Sequence, residues 1–187
     1  ASLICTSDVH TVRGVIAIPE KRVLGHESVG IVYKVGANVT HCKEGDRVVV
    51  CAITPCGKCD YCQRGFPSQC GGMLGGYKYT TQRDGNMAEY FFVNDADYNL
   101  TPIPKALTDE QALYTTDMMT TGLAGAENAE IPPGGTVAVF AQGPVGLCST
   151  MMARLLGAGL VIAVESKPDR KALAKKVGAD VVVDPTQ

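Results

Sequence analysis

Side chains able to do chemistry crowd into a few places along the 187 residues. The densest is Cys56-Gly57-Lys58-Cys59-Asp60-Tyr61-Cys62, with Cys70 beyond it, a C-x2-C-x2-C-x7-C array. Two residues between thiolates let a tight turn present both sulfurs to one tetrahedral ion. Four thiolates leave no position open, so the array reads as a structural metal site. Two other uses stay open: disulfides, which such short loops would strain, and an iron–sulfur cluster, which uses related spacings.

A second concentration is Cys5-Thr6-Ser7-Asp8-Val9-His10, with a thiol, two hydroxyls, a carboxylate and an imidazole in six residues. The alternative is a surface turn capped by Ser7 or Asp8. A third is Gly25-His26-Glu27-Ser28-Val29-Gly30, running on to Gly36 and Val39, a tight turn feeding a strand. Imidazole is the commonest metal ligand, yet a packed turn histidine fits the same spacing. Asp117, read inside a helix, is costly to bury unless paired or bound to a cation, and otherwise faces solvent.

The fourth is Ala141-Gln142-Gly143-Pro144-Val145-Gly146, between an apolar strand and a helix, with Glu165 some twenty residues on. Glycines there let a pyrophosphate approach the backbone at a helix N-terminus, and the acid can hold a ribose hydroxyl pair. Ala141 stands where such a motif has its first glycine. The alternative is a plain packing glycine in a strand-helix-strand unit. Glu165 favours NAD, because a carboxylate repels a 2′-phosphate, while Lys167 beside Ser166 leaves room for NADP.

The elements that must position these groups divide the chain in two. Residues 31–35 and 47–50 read as strands joined by Gly and Asp turns, the texture of a small barrel-like β domain. His41 reads as an exposed loop histidine, and Cys42 and Cys51 as ordinary small residues. Residues 71–86 read as a loop or short hairpin, 87–93 as a strand and 94–104 as irregular. A helix capped by Thr108 and Gln111 is expected to run through Ala112, Leu113 and Met118 toward Gly122. After a hinge at Pro132-Pro133-Gly134-Gly135 come a buried strand at 136–140, a helix with Leu147, Met151, Met152 and Leu155, and a strand at 160–164. A helix capped by Ser166 and Asp169 runs to Gly178, and a strand follows at 181–183. That order implies a parallel sheet with right-handed crossovers. The fold class is therefore α/β with a β-rich domain over 1–131, including the cysteine lobe at 56–70, and a partial dinucleotide-binding sheet over 132–187.

With 45% hydrophobic residues the chain can build a core. Its net charge of −2 gives no footprint for nucleic acid or an anionic membrane. Its apolar runs fall well short of the roughly 20 residues a membrane helix needs, so the partner is a small molecule. Eight cysteines, half of them in one lobe, suit a metal site in a reducing cytoplasm better than a stapled secreted scaffold. The opening Ala1-Ser2-Leu3-Ile4-Cys5, without Met, suggests that residues precede it.

Taken together, these residues resemble the zinc-dependent medium-chain alcohol dehydrogenases. The match rests on Cys5, Ser7 and His10, on Gly25-His26-Glu27 with Gly30, Gly36 and Val39, on the four-cysteine lobe, and on Gly143-Pro144-Val145-Gly146 with Glu165. The segment Thr116-Asp117-Met118-Met119-Thr120-Thr121-Gly122 is most similar to secondary-alcohol (isopropanol-type) enzymes, although those do not always keep the full lobe. The resemblance implies a GroES-like catalytic domain, truncated at its N-terminus, followed by the first part of a Rossmann-type sheet. It implies two zinc ions. Cys5, His26, Asp117 and the exchangeable Glu27 would surround the catalytic one, and Cys56, Cys59, Cys62 and Cys70 the structural one. Ser7 and His10 would relay the proton, Thr121 would touch the nicotinamide side, and Gly143, Pro144, Val145, Gly146, Glu165, Ser166 and Lys167 would hold the dinucleotide. The expected reaction is hydride transfer between a short-chain alcohol and NAD(P) in a homo-oligomer, with formaldehyde, a polyol or an amino alcohol as alternative substrates. A truncated chain that holds zinc without catalysis is the other alternative.

Overall fold

The computed structural model describes residues 1–72 and 78–187. The expectation of a loop or hairpin over 71–86 therefore lies partly outside the described residues. Two compact units divide the chain, Ala1–Thr116 and Asp117–Gln187. This division falls ahead of the expected change at 131/132. The helix before the hinge belongs with the second unit, where it packs along the helix that follows Gly143.

The first unit begins with helix α1 (Thr6–Val12) and continues into strands β1 (Ser28–Ile31) and β2 (Arg47–Val50). A short helix, α2 (Asp60–Gln63), lies in the cysteine lobe. Helix α3 (Ala96–Asn99) leads into β3 (Leu100–Pro102), and α4 (Asp109–Leu113) follows. The strands form an antiparallel sheet in the order β1-β2-β3, with Ser28 opposite Val50 and Val50 opposite Leu100. Val48, Val50, Val32, Cys42 and Leu100 form one core, and Val29, Ile103, Ala112 and Leu113 another. β-branched residues dominate the first because they suit a pleated surface packed on its inner face, while the second also takes in Ala112 and Leu113 of α4.

Several expected boundaries moved. The first strand lies at 28–31 rather than 31–35, because the Val32 amide and carbonyl bond the turn at Asp46 and Gly45 instead of a ladder. Residues 87–93 form no strand. Phe91 and Val93 still face the core, but the Phe92 carbonyl is taken by side chains, Arg83 Nη1 at 2.9 Å and Tyr79 Oη at 3.3 Å. The stretch 94–104 contains α3 and β3 despite its turn formers, since Asn99 is buried and bonds the Pro55 and Asn94 carbonyls. The Thr108 capping box is present: Gln111 N donates to Thr108 Oγ1 and Gln111 Oε1 accepts from Thr108 N. That helix stops at Leu113. Thr115 and Thr116 hydroxyls turn back on the Ala112 and Leu113 carbonyls, a local alternative to continued helix.

The second unit opens with helix α5 (Met118–Asn128), then β4 (Thr136–Phe140), α6 (Pro144–Leu155), β5 (Leu160–Val164), α7 (Pro168–Lys176) and β6 (Val181–Val183). The strands are parallel in the order β4-β5-β6, as the strand-helix alternation requires. Ala153 of α6 packs with Val137 and Val161, and Ala174 of α7 with Ala163 and Val182, so both helices cover one face. β4 was expected to be buried. Its opposite face is open among the described residues, and Phe140 is 75% exposed.

Candidate metal centres and dinucleotide turn

Cys5 is the N-cap of α1, and its amide donates to Asp8 Oδ2 at 2.9 Å. The thiol is thereby held at the start of a rigid turn rather than on a mobile loop. His26 and Glu27 follow Gly25, whose φ is +99°. A Cβ there would lie 2.5 Å from Met87 Cγ and 2.9 Å from the Met87 amide nitrogen, so both conformation and space require glycine. His26 and Glu27 are 1% and 2% exposed.

Cys5, His26 and Glu27 each offer a ligand atom within 4.8 Å of the others. His26 Nε2 lies 3.9 Å from Glu27 Oε1 and 3.5 Å from Ser7 Oγ. Its other nitrogen, Nδ1, is 3.7 Å from Asp8 Oδ1. An imidazole with one nitrogen toward a candidate carboxylate ligand and the other toward a second carboxylate is the arrangement metal-ligating histidines adopt. A thiolate, an imidazole and a carboxylate also form a donor set suited to zinc. Asp8 was counted among the side chains of the run over residues 5–10, with a turn cap as the alternative, and was given no role of its own; the structure sets its carboxylate against His26. Its spacing from Cys5 was visible; its approach to His26 was not. Burial pushes the Asp8 carboxyl up, but His26 and the Cys5 and Gly25 amides outweigh that and hold it below its ordinary value.

The other residues assigned to chemistry are placed less uniformly. His10 lies exposed in the last turn of α1. Asp117 is the first residue of the second unit and the N-cap of α5, not an interior helix position. It is bonded to Thr116, which is buried and whose carbonyl accepts from Ala52 N at 3.4 Å, so the chain leaves the first unit from an anchored point. Thr121 Oγ1 donates to Asp117 Oδ1 at 2.5 Å.

In the lobe, Cys56, Cys59, Cys62 and Cys70 bring four sulfurs within 4.8 Å of one another. The Cys59 and Cys62 sulfurs are 3.5 Å apart, and those of Cys59 and Cys70 are 3.9 Å apart. Zn–S bonds of about 2.3 Å set tetrahedrally put sulfurs about 3.8 Å apart. Bonded sulfurs lie at about 2.05 Å, so no disulfide is present, and the close grouping suits one ion better than a polynuclear cluster. Backbone donors at Cys62 and Gly71 bring the Cys59 thiol down to about 6, while burial and the neighbouring Cys59 push Cys62 up to about 12. Thiolates are the form that ligates a cation, so metal binding at the lobe would release protons.

In the second unit, Gly143 caps α6 with Pro144 at its first position, where the missing N–H costs nothing. Val145 is exposed beside it. A Cβ on Gly146 would lie 1.9 Å from the Ala141 carbonyl oxygen, so helix and turn meet at glycine distance. Ala141 itself sits at φ +65°, the conformation a first glycine would take without strain. Glu165 is buried at the end of β5. Its Oε2 accepts from Gln142 N at 2.8 Å, and its Oε1 from Ser166 N at 2.8 Å and Lys167 N at 2.9 Å. The Lys167 and Gln142 amides hold its carboxyl below the ordinary value. Ser166 was expected to cap α7; Lys167 is the N-cap instead, since the Ser166 and Lys167 amides are taken by Glu165.

Residues 1–105 match the family model of the alcohol dehydrogenase GroES-like domain, and residues 144–187 that of the zinc-binding dehydrogenases. The chain is 50% identical over 181 residues to an NADP-dependent isopropanol dehydrogenase of Thermoanaerobacter brockii, covering 96% of this chain and 51% of that protein. It is 46% identical to an alcohol dehydrogenase of Cupriavidus necator, covering 97% and 53%. The structure superposes on the alcohol dehydrogenase TADH from Thermus sp. ATN1 with a TM-score of 0.88 at 34% identity, covering 100% and 54%. The chain thus spans about half the length of the relatives it matches.

Proposed function

The chain belongs to the alcohol dehydrogenase family with a GroES-like domain, and on that premise we propose that the whole protein interconverts small alcohols with ketones or aldehydes, using a nicotinamide dinucleotide. The observation that carries this reading is the meeting of Cys5, His26 and Glu27 on α1 and the Gly25 turn. Cys5 and His26, joined by Asp117, would hold the catalytic zinc, with Glu27 as an exchangeable ligand. Cys56, Cys59, Cys62 and Cys70 would hold a structural one. Zinc, when bound there, would supply a Lewis acid that lowers the pKa of an alcohol hydroxyl, and a dinucleotide would supply the hydride acceptor.

The chain's own residues do the rest. Asp8 fixes the His26 ring from the Nδ1 side. Ser7 Oγ, beside His26 Nε2, would accept the hydroxyl proton as it gives up its own, and exposed His10 would take the released proton outward. Thr121 positions the nicotinamide side next to Asp117. The turn Gly143-Pro144-Val145-Gly146 admits the pyrophosphate at the start of α6, and Glu165 with Ser166 and Lys167 forms the ribose end.

Among the described residues no helix is long and apolar enough to cross a membrane. The eight free thiols suit a reducing cytoplasm. A homo-oligomer is the assembly we expect, which light scattering on the full-length protein would measure. The name of the Thermoanaerobacter brockii relative supports propan-2-ol as the substrate to try first and NADP as one of the two cofactors. The Glu165 carboxylate favours NAD. Rates for propan-2-ol, formaldehyde and sorbitol, each with NAD and NADP, test the reading on the full-length protein. Absence of turnover with propan-2-ol would remove the secondary-alcohol assignment.

A further inference from the structure

The turn between β4 and α6 is held from beneath by a side chain that an ordinary packing role does not explain. Gln142 follows Ala141 and precedes Gly143, and its side chain is 0% exposed. Its Nε2 donates to the Val139 carbonyl at 3.1 Å, back on β4. Its Oε1 accepts from the Thr150 hydroxyl at 2.9 Å, forward on α6, and Thr150 is also 0% exposed. Its backbone N–H donates to Glu165 Oε2 at 2.8 Å, across to the end of β5. One residue therefore ties the turn to three elements.

A buried amide and hydroxyl are costly unless satisfied, and an apolar pair of similar volume would fill the same space with no such demand. What the polar pair adds is direction: the Gln142 side chain can sit only where the Val139 carbonyl and the Thr150 hydroxyl both meet it, while the contact to Glu165 comes from its backbone and is independent of the side chain. The turn has reason to need this. Ala141 is held at φ +65°, which an L-residue leaves readily when nothing opposes it. The Ala141 carbonyl is pressed against Gly146, so relaxation at Ala141 would shift the amides that start α6.

We propose that Gln142 and Thr150 form a buried polar latch that keeps this turn in the shape that receives the dinucleotide pyrophosphate, making them positioning residues for cofactor affinity. The proposal rests on the dinucleotide reading given above. It applies to the pyrophosphate rather than the nicotinamide, because the latch acts on the turn and the first turn of α6.

The test uses the full-length protein with Gln142→Leu, Thr150→Val, the double variant and Thr150→Ser, the last keeping the hydroxyl. NADH and NADPH affinity are read by fluorescence titration, and exchange of the amides at 141–143, 145 and 146 by hydrogen–deuterium exchange without cofactor. Loss of preorganisation is expected to weaken binding about tenfold in either single variant. The double variant should be no worse than the singles, and Thr150→Ser should retain wild-type affinity. Exchange at the turn should speed up in step, and KM for the cofactor should rise while kcat at saturating cofactor holds. Gln142→Leu with unchanged affinity and unchanged exchange would overturn the latch, leaving Gln142 as packing. If wild-type protein binds neither dinucleotide, the proposed function falls; exchange at the turn then decides the latch alone.

Discussion

Gly146→Ala tests the close approach that the dinucleotide turn depends on. Three terms set its effect. Alanine in a helix gains about 0.8–1.0 kcal/mol over glycine. Against it, the new Cβ falls 1.9 Å from the Ala141 carbonyl oxygen and 3.0 Å from its carbon, and both are backbone atoms. Overpacking of this kind costs about 1–3 kcal/mol. The turn cannot retreat freely, because Ala141 N donates to Val164 O at 2.9 Å and Gln142 N to Glu165 Oε2 at 2.8 Å. Losing one of these adds about 1 kcal/mol. The overlap wins, and the second unit should lose about 1–3 kcal/mol. At about 2–4 °C per kcal/mol for a domain of the size expected in the full-length protein, its melting temperature should fall by roughly 2–12 °C. Calorimetry on the full-length protein reads the shift, and NADH titration should show binding weakened by about tenfold or more as the pyrophosphate loses its approach. A Gly146→Ala protein that melts at or above wild type with unchanged affinity would refute the packing argument.

Three other outcomes follow from the sites. Asp8→Asn keeps shape but weakens the hold on His26, and metal affinity at the Cys5 site should fall by about 10–100-fold in a chelator competition while the lobe keeps its metal. Cys5→Ala and Cys56→Ala should each lower zinc content from two ions to one by elemental analysis, and only Cys56→Ala should lower the melting point of the first unit, since a structural ion contributes folding energy. Asp184 is held at about 2, below its ordinary 3.8, chiefly by Lys171 and Thr186. A depressed folded value means stability present above 3.8 and lost as pH falls toward about 2, so acid unfolding of the second unit should steepen in that window. Asp184→Asn should flatten that part of the curve, and an unchanged curve would exclude the pairing as a contributor.

Much of the site was legible because its members are local in sequence. The lobe declares itself through cysteine spacing, because two residues between thiolates let one tight turn present both sulfurs to a single ion. The parallel sheet of the second unit was readable from the alternation of β-branched runs with helical segments, since parallel strands require a crossover between them. The first unit was harder. Residues 87–93 have a strand's composition, yet Arg83 and Tyr79 take the Phe92 carbonyl that a ladder would have used. Residues 94–104 look like a loop, yet burial of Asn99 against the Pro55 carbonyl orders them into helix and strand. Both outcomes depend on partners far along the chain, which propensity does not see.

By itself the sequence determined which atoms are available: Cys5, His26 and Glu27 beside glycine, four lobe thiols, and a small-residue turn opening a helix with Glu165 beyond it. Those are matters of residue type and short spacing, where covalent geometry limits the outcomes. The tertiary structure decided what each group faces. It set Asp8 behind His26, ended the helix before Asp117, gave Glu165 three backbone donors and placed Gln142 beneath the turn. Each depends on elements brought together from distant positions, and there packing and the need to satisfy buried polar groups select one arrangement.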